Sequence, residues 1–257
     1  MYPILVSIGP VTIFSFSVFL VLAWLTFSFL FWRSLRTSGT EEDRIFDLTF
    51  YATIVACITA RAAFVLTHWD LFSDTWLKIL ALWVTPGLSL YGGLLGGVAT
   101  LVSMSRTIKV RLGLVLDAFA NALPLALIIG LIGAFLDGAV VGKIAQVGRR
   151  HPVALYEIAA LLLLILVQSM LARKAVRLQK PQGIVGVWFF MLWSSVMFIL
   201  EVFKESRVYW SFTANQWVLV AIFAESLGAL YVRGGGRQWI RPFIYKLYAK
   251  ISNKHSV

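Results

Sequence analysis

The chain has 257 residues, 60% of them hydrophobic and 14% charged, with a mean hydropathy of +0.84 and a formal net charge of +11. Soluble domains carry roughly 25% charged residues, so the composition excludes an ordinary soluble protein and indicates one transmembrane domain over residues 1–257. Cys57 is the only cysteine, which excludes an internal disulfide and a thiolate cluster; His68, His151 and His255 lack ligand spacing, so no metal and no cofactor are expected.

Met1-Tyr2-Pro3 opens the chain without a basic n-region, so no cleavable signal peptide is expected and the first apolar run stays as a spanning helix. A spanning helix needs ~20 apolar residues. Such runs fall at about 11–32, 45–67, 88–104, 114–137, 153–172, 184–203 and 215–232. They predict an all-α, polytopic bundle of seven transmembrane helices. The third run is short and carries Gly92-Gly93 and Gly96-Gly97, a small-xxx-small spacing that lets helices approach closely. The alternative is that these glycines leave room for lipid chains or bring backbone near a headgroup. Residues 69–83 mix Asp70, Asp74 and Lys78 with Trp and Leu, which predicts an interfacial amphipathic segment.

Lys and Arg set the orientation. Arg33, Arg36 and Arg44 follow the first run; Arg106, Lys109 and Arg111 follow the third; Arg173, Lys174, Arg177 and Lys180 follow the fifth. The tail, 233–257, adds six more, from Arg233 to Lys254. The opposite turns hold fewer, so the positive-inside rule predicts the N-terminus out and the C-terminus in. In the tail, Trp239, Ile240, Phe243, Ile244 and Leu247 interleave with the cations at helical spacing. That suits a membrane-surface helix and argues against nucleic acid as a partner.

One segment on the outer side concentrates chemistry: Arg149-Arg150-His151-Pro152-Val153-Ala154-Leu155-Tyr156-Glu157, at the mouth of the apolar run 158–171. Burying an ionised carboxylate costs several kcal/mol, so Glu157 needs a cation or a water-filled cavity. Arg61, Asp137 and Glu201 fall toward the same end of other runs. Arg61 reads either as a snorkelling residue or as an anion binder. His151 precedes a proline suited to the first helical position, so it is either part of that start or a headgroup or catalytic residue. Glu157 and Glu201 read as ion-pair partners or as general bases, and Tyr156 as an interfacial aromatic.

The order of these segments resembles the prolipoprotein diacylglyceryl transferases, seven-span enzymes of the bacterial inner membrane. The resemblance runs over nearly the whole chain. It takes in Ser7-Ile8-Gly9-Pro10, Phe14-Ser15-Phe16-Ser17, Ala60-Arg61, Leu88-Ser89-Leu90-Tyr91-Gly92-Gly93-Leu94 and Asp117. It continues through 130–138, Arg150-His151-Pro152 with Leu155-Tyr156-Glu157, 198–205 and Asn215-Gln216. It implies a multi-pass bacterial inner-membrane protein that moves the diacylglyceryl group of phosphatidylglycerol, or of another anionic lipid, to the lipobox cysteine thiol of a prolipoprotein. It implies His151, Tyr91 and Glu157 as catalytic residues, and Arg61, Arg150, Tyr156 and Glu201 around the lipid headgroup.

The departures are specific. Tyr91 stands where the family has histidine. Leu131 and Ala134 replace an arginine and an asparagine, and Asp137 and Ala139 replace an asparagine and a glutamate. Trp193 and Met197 replace a tyrosine and an arginine, and the insert before the Arg-His-Pro segment shrinks to about 143–149. Losing phosphate cations costs transition-state stabilisation. The replacements therefore predict anionic-lipid binding with weak or absent transfer. The rival is a non-catalytic lipid-binding or scaffold protein that kept the fold. A transporter would want paired repeats, and the sequence shows none.

Overall fold

A computed structural model describes residues 3–8, 11–73, 75–81, 85, 87–144 and 148–233. The surface helix expected of the basic tail lies outside the described residues, as do Asp74, Trp83, Gly9-Pro10 and the middle of the short insert before Arg149.

The described chain is mostly helical. Its helices are α1 (Ser15–Thr37), α2 (Glu42–Thr67), α3 (Leu90–Thr107), α4 (Leu112–Asp137), α5 (Val153–Arg177), α6 (Ile184–Glu201) and α7 (Ala214–Arg233). Six are long and apolar enough to cross a membrane; the exception is α3. Many large apolar side chains on α1, α2, α5 and α7 stay exposed on the bundle, Leu22, Ile58, Leu163 and Leu227 among them, as lipid contact requires.

Two corrections to the all-α expectation lie at the ends of helices. The first apolar run does not start as a helix. Strand β1 (Ile4–Ile8) pairs antiparallel with β2 (Val11–Phe14), and α1 begins only at Ser15. Val11, Thr12 and Ile13 are β-branched and fit a strand better than a helix start. A second small hairpin, β3 (Val208–Tyr209) with β4 (Phe212–Thr213), precedes α7. The segment expected to be interfacial and amphipathic forms two single 3₁₀ turns, Trp69–Leu71 and Trp76–Ile79, rather than a continuous helix. Backbone carbonyls that a helix would have used there are taken by Arg61, as described below.

The core gathers on α4, which packs against α1, α5 and α6, and Phe119, Leu123, Leu161, Phe189 and Trp193 fill it. α3 lies along α2, and its glycines are the reason. A Cβ on Gly92 would lie 2.4 Å from Ala63 Cβ and 2.8 Å from Thr59 O, and one on Gly96 would lie 2.0 Å from Thr59 Oγ1. The glycine run is thus a helix-packing surface. At the far end of α4, Asp117 accepts from the backbone N–H of Gly183 and of Gly186, both at 2.7 Å, and so caps α6 from a neighbouring helix. Glu225 is exposed on α7, and Cys57 is exposed on α2.

Candidate functional site

The charged groups expected at one end of the bundle sit where α2 and α6 finish and α3, α5 and α7 begin. Glu157 lies in the second turn of α5, and Glu201 is the last residue of α6. Both turn inward onto Lys204, whose Nζ is 2.7 Å from Glu157 Oε1 and 3.0 Å from Glu201 Oε2. The side chains of Glu157 and Glu201 are 6% and 0% exposed, and that of Lys204 17%. Asn215, at the start of α7, donates to the other oxygen of Glu201 at 2.6 Å. Tyr91, buried at the start of α3, lies within electrostatic reach of Lys204, Glu201 and Glu157. Five side chains from α3, α5, α6, α7 and the turn after α6 therefore share one buried centre.

Burial works against the charge on Lys204. Glu157, then Tyr91 and Glu201, outweigh it, so the ammonium titrates above the ordinary lysine range. With both carboxylates ionised, the centre carries a formal charge of −1. Both carboxylates lie 3.0 Å or less from the same cation, which holds them together.

A narrow three-segment lattice supports this centre. Lys143 N–H donates to Phe203 O at 2.8 Å, Glu205 N–H to Val141 O at 3.0 Å, and His151 N–H to Lys143 O at 3.0 Å. Gly142 fits between them because it has no side chain; a Cβ there would lie 2.1 Å from His151 O. Arg150 pairs with Glu205 and donates to Gly142 O at 3.1 Å. The ring of His151 stands 5.2 Å from that of Phe203, and its Nδ1 is 3.4 Å from Tyr156 Oη. Arg150, His151 and Tyr156 thus form a more exposed rim beside the buried centre, joined to it through the residues that flank Lys204.

Arg61 is placed differently. Its guanidinium is spent on backbone carbonyls: Nε on Ile79 O at 2.7 Å, Nη2 on Lys78 O at 2.7 Å, and Nη1 on Thr85 O at 2.9 Å and Gly87 O at 3.0 Å. Phe72 faces it at 5.0 Å. The residue is 8% exposed and pairs with neither Glu157 nor Glu201 among the described contacts. It organises the turn between α2 and α3.

The replaced positions are apolar and packed. Ala134 and Met197 are buried, and Leu131 packs against the core cluster. Trp193, Met197 and Glu201 follow one another at i, i+4 spacing and share a face of α6. Trp193 stands 6.2 Å from Tyr91, and its buried Nε1 has no acceptor among the described residues. Asp137 ends α4 half-buried. Sequence reasoning missed Lys204. Its i, i+3 spacing from Glu201 was the available signal.

The family profile described as prolipoprotein diacylglyceryl transferase matches residues 3–232. Among individual proteins, the chain is similar to the phosphatidylglycerol–prolipoprotein diacylglyceryl transferase of Pseudoalteromonas atlantica, 31% identical over 79% of this chain and 75% of that one. It is 28% identical to the enzyme of the same name from Photobacterium profundum, over 79% and 80%. It is 27% identical to that of a Wolbachia from Brugia malayi, over 89% and 92%.

Proposed function

The chain belongs to the prolipoprotein diacylglyceryl transferase family, and we propose that it binds phosphatidylglycerol at the Glu157–Lys204 end and transfers diacylglyceryl only slowly. In this reading it is a bacterial inner-membrane protein with seven spans, α3 being the short one, the N-terminus outside and the tail in the cytoplasm. The acceptor is a lipobox cysteine thiol. Its sulfur attacks the glycerol carbon of the lipid, the C–O bond to phosphate breaks, and glycerol phosphate leaves. The thiol must give up its proton, because the thiolate is the nucleophile.

Arg150, on the rim, supplies charge-assisted donors for the phosphate. Glu157 accepts the thiol proton, with Lys204 and Glu201 holding it in place. His151 and Tyr156 line the headgroup, Tyr91 stands in the histidine position, and Arg61 acts by holding the α2–α3 turn. The observation that carries the reading is the family match across all seven helices. The slow rate follows from Leu131 and Met197, since only groups beside the reacting atoms stabilise the transition state over the ground state.

The test is a labelled-phosphatidylglycerol transfer assay to a lipobox peptide. It compares the purified chain with Leu131→Arg and Met197→Arg, singly and together, after a melting check that each variant folds. We expect lipid binding by all folded forms, little transfer by the unaltered chain and a gain in the variants. Robust transfer by the unaltered chain defeats the slow-site reading. Absence of lipid binding favours the non-catalytic scaffold, for which the burial of Met197 and Ala134 is the supporting observation.

A further inference from the structure

At the opposite end of the bundle, three connections line an open cavity of about 300 Å³. The α1–α2 turn contributes Thr40 and Glu41, the first turn of α2 Arg44, the α3–α4 turn Lys109 and Arg111, and the α5–α6 turn Gln182. Cations at a membrane edge need no ligand to explain them. Here, however, Arg44 at the start of α2 and Lys109 and Arg111 of the α3–α4 turn line one space, and the one acid that lines it with them, Glu41, is already used. Glu41 accepts from Arg44 Nε at 2.7 Å, and Glu42 pairs with Arg36. Arg44 is fixed further by Nη1 on Ile108 O at 3.1 Å. Arg111 reaches only the amide oxygen of Gln182, at 3.4 Å, and no carboxylate meets Lys109 among the described residues. With Glu41 cancelling Arg44, the lining keeps two uncompensated positive charges.

Lys109 is also held in an unusual backbone state. Its φ is +57°, in the left-handed region that favours glycine, where Val110 N–H closes the end of α3 on Ser105 O at 2.9 Å. From this left-handed turn Lys109 lines the cavity.

We infer that this cavity is a second, non-catalytic site for a phosphate group, held by Lys109 as a point charge and Arg111 as a planar fork, with Arg44 behind them. The space fits a headgroup or a small phosphate ester and not acyl chains. Two sources share that chemistry: an anionic phospholipid of the adjacent leaflet, its chains lying outside the cavity, and a soluble phosphate ester. The inference does not depend on whether the Glu157–Lys204 end transfers anything.

The experiment uses the full chain in phosphatidylcholine nanodiscs. One arm adds phosphatidylglycerol and measures retained lipid by native mass spectrometry. The other titrates glycerol phosphate by calorimetry. The variants are Lys109→Gly, Arg111→Gln and, for the other end, Arg150→Gln. Each of the first two should weaken binding about tenfold, the scale of one charge-assisted hydrogen bond. Lys109→Gly also relieves the positive φ, so it should melt no lower than the parent, and its loss of binding cannot be blamed on misfolding. Arg150→Gln should leave this component intact. Loss in the lipid arm assigns the site to a phospholipid, and loss in the calorimetric arm alone assigns it to a soluble ester. Unchanged binding in both arms for Lys109→Gly and Arg111→Gln overturns the site, whatever the transfer assay gives.

Discussion

Lys204 Nζ lies 2.7 Å from Glu157 Oε1, so a residue in the turn after α6 is tied to the second turn of α5 inside the bundle. That link also reaches Glu201, which Asn215 fixes from α7. Removing the cation would strand two buried carboxylates, a change that typically costs about 3–5 kcal/mol. Lys204→Met should therefore unfold well below the parent in a detergent melt. Adding Glu157→Gln and Glu201→Gln should recover most of the loss, because neutral amides need no counter-charge. A Lys204→Met protein that melts with the parent would show the link to be energetically idle.

The same link has a pH signature. The pKa of Lys204 is raised in the folded state by Glu157, Tyr91 and Glu201 against the cost of burial. A raised lysine stabilises the fold fully below its unfolded value, near ~10.4, and the contribution is lost as pH climbs through the folded value. The gap in stability between the parent and Lys204→Met should thus not shrink from neutral pH to about 10 and should close only in stronger alkali. A gap that closes between pH 6 and 8 would assign it to another group.

How much of this was legible follows from physical range. Hydropathy located the apolar runs, because burying backbone in lipid leaves little choice of structure. That Gly92 and Gly96 could form a helix-packing surface was visible as small-residue spacing, but that α2 is the partner was not. Glu157 and Glu201 were visible as carboxylates where none belongs. Lys204 was not, because a lysine at a helix end is ordinary until the tertiary fold turns it inward. The place of Arg61 was hidden for a related reason: its partners are backbone carbonyls, which have no side-chain signature. The strand at Val11–Phe14 lost to the apolar run that contains it, since hydropathy alone does not distinguish a short apolar strand from a helix.

Arg61 gives the next expectation. Four carbonyl contacts in a fork cannot be reproduced by a lysine, which offers one compact charge. Arg61→Lys should lose at least one charge-assisted hydrogen bond, about 2–3 kcal/mol, with the loss confined to the α2–α3 turn. Hydrogen exchange should accelerate at the amides of Leu80 and Ala81, both of which donate to Leu77 O, while α4 and α5 keep their protection. Uniform acceleration throughout would mean that Arg61 supports the whole bundle rather than this turn.

Gly142 offers the sharpest test of the rim. A Cβ there would meet His151 O at 2.1 Å, a backbone atom that no rotamer change can move. Gly142→Ala must therefore push apart the segments that hold Lys143 to Phe203 and His151 to Lys143. Overpacking of this kind costs about 1–3 kcal/mol. The damage should fall first on Arg150, which donates to Gly142 O, and on His151, and only then on the Glu157–Lys204 link behind them. Retention of phosphatidylglycerol should drop in Gly142→Ala while the alkaline melting behaviour set by Lys204 persists. Gly148→Ala is the control: that glycine has nothing within 4 Å of its Cβ position, though its φ of +75° carries local strain. If the two variants lose lipid equally, backbone strain in this turn explains the loss, and the rim formed by Arg150 and His151 has no separate part in holding the headgroup.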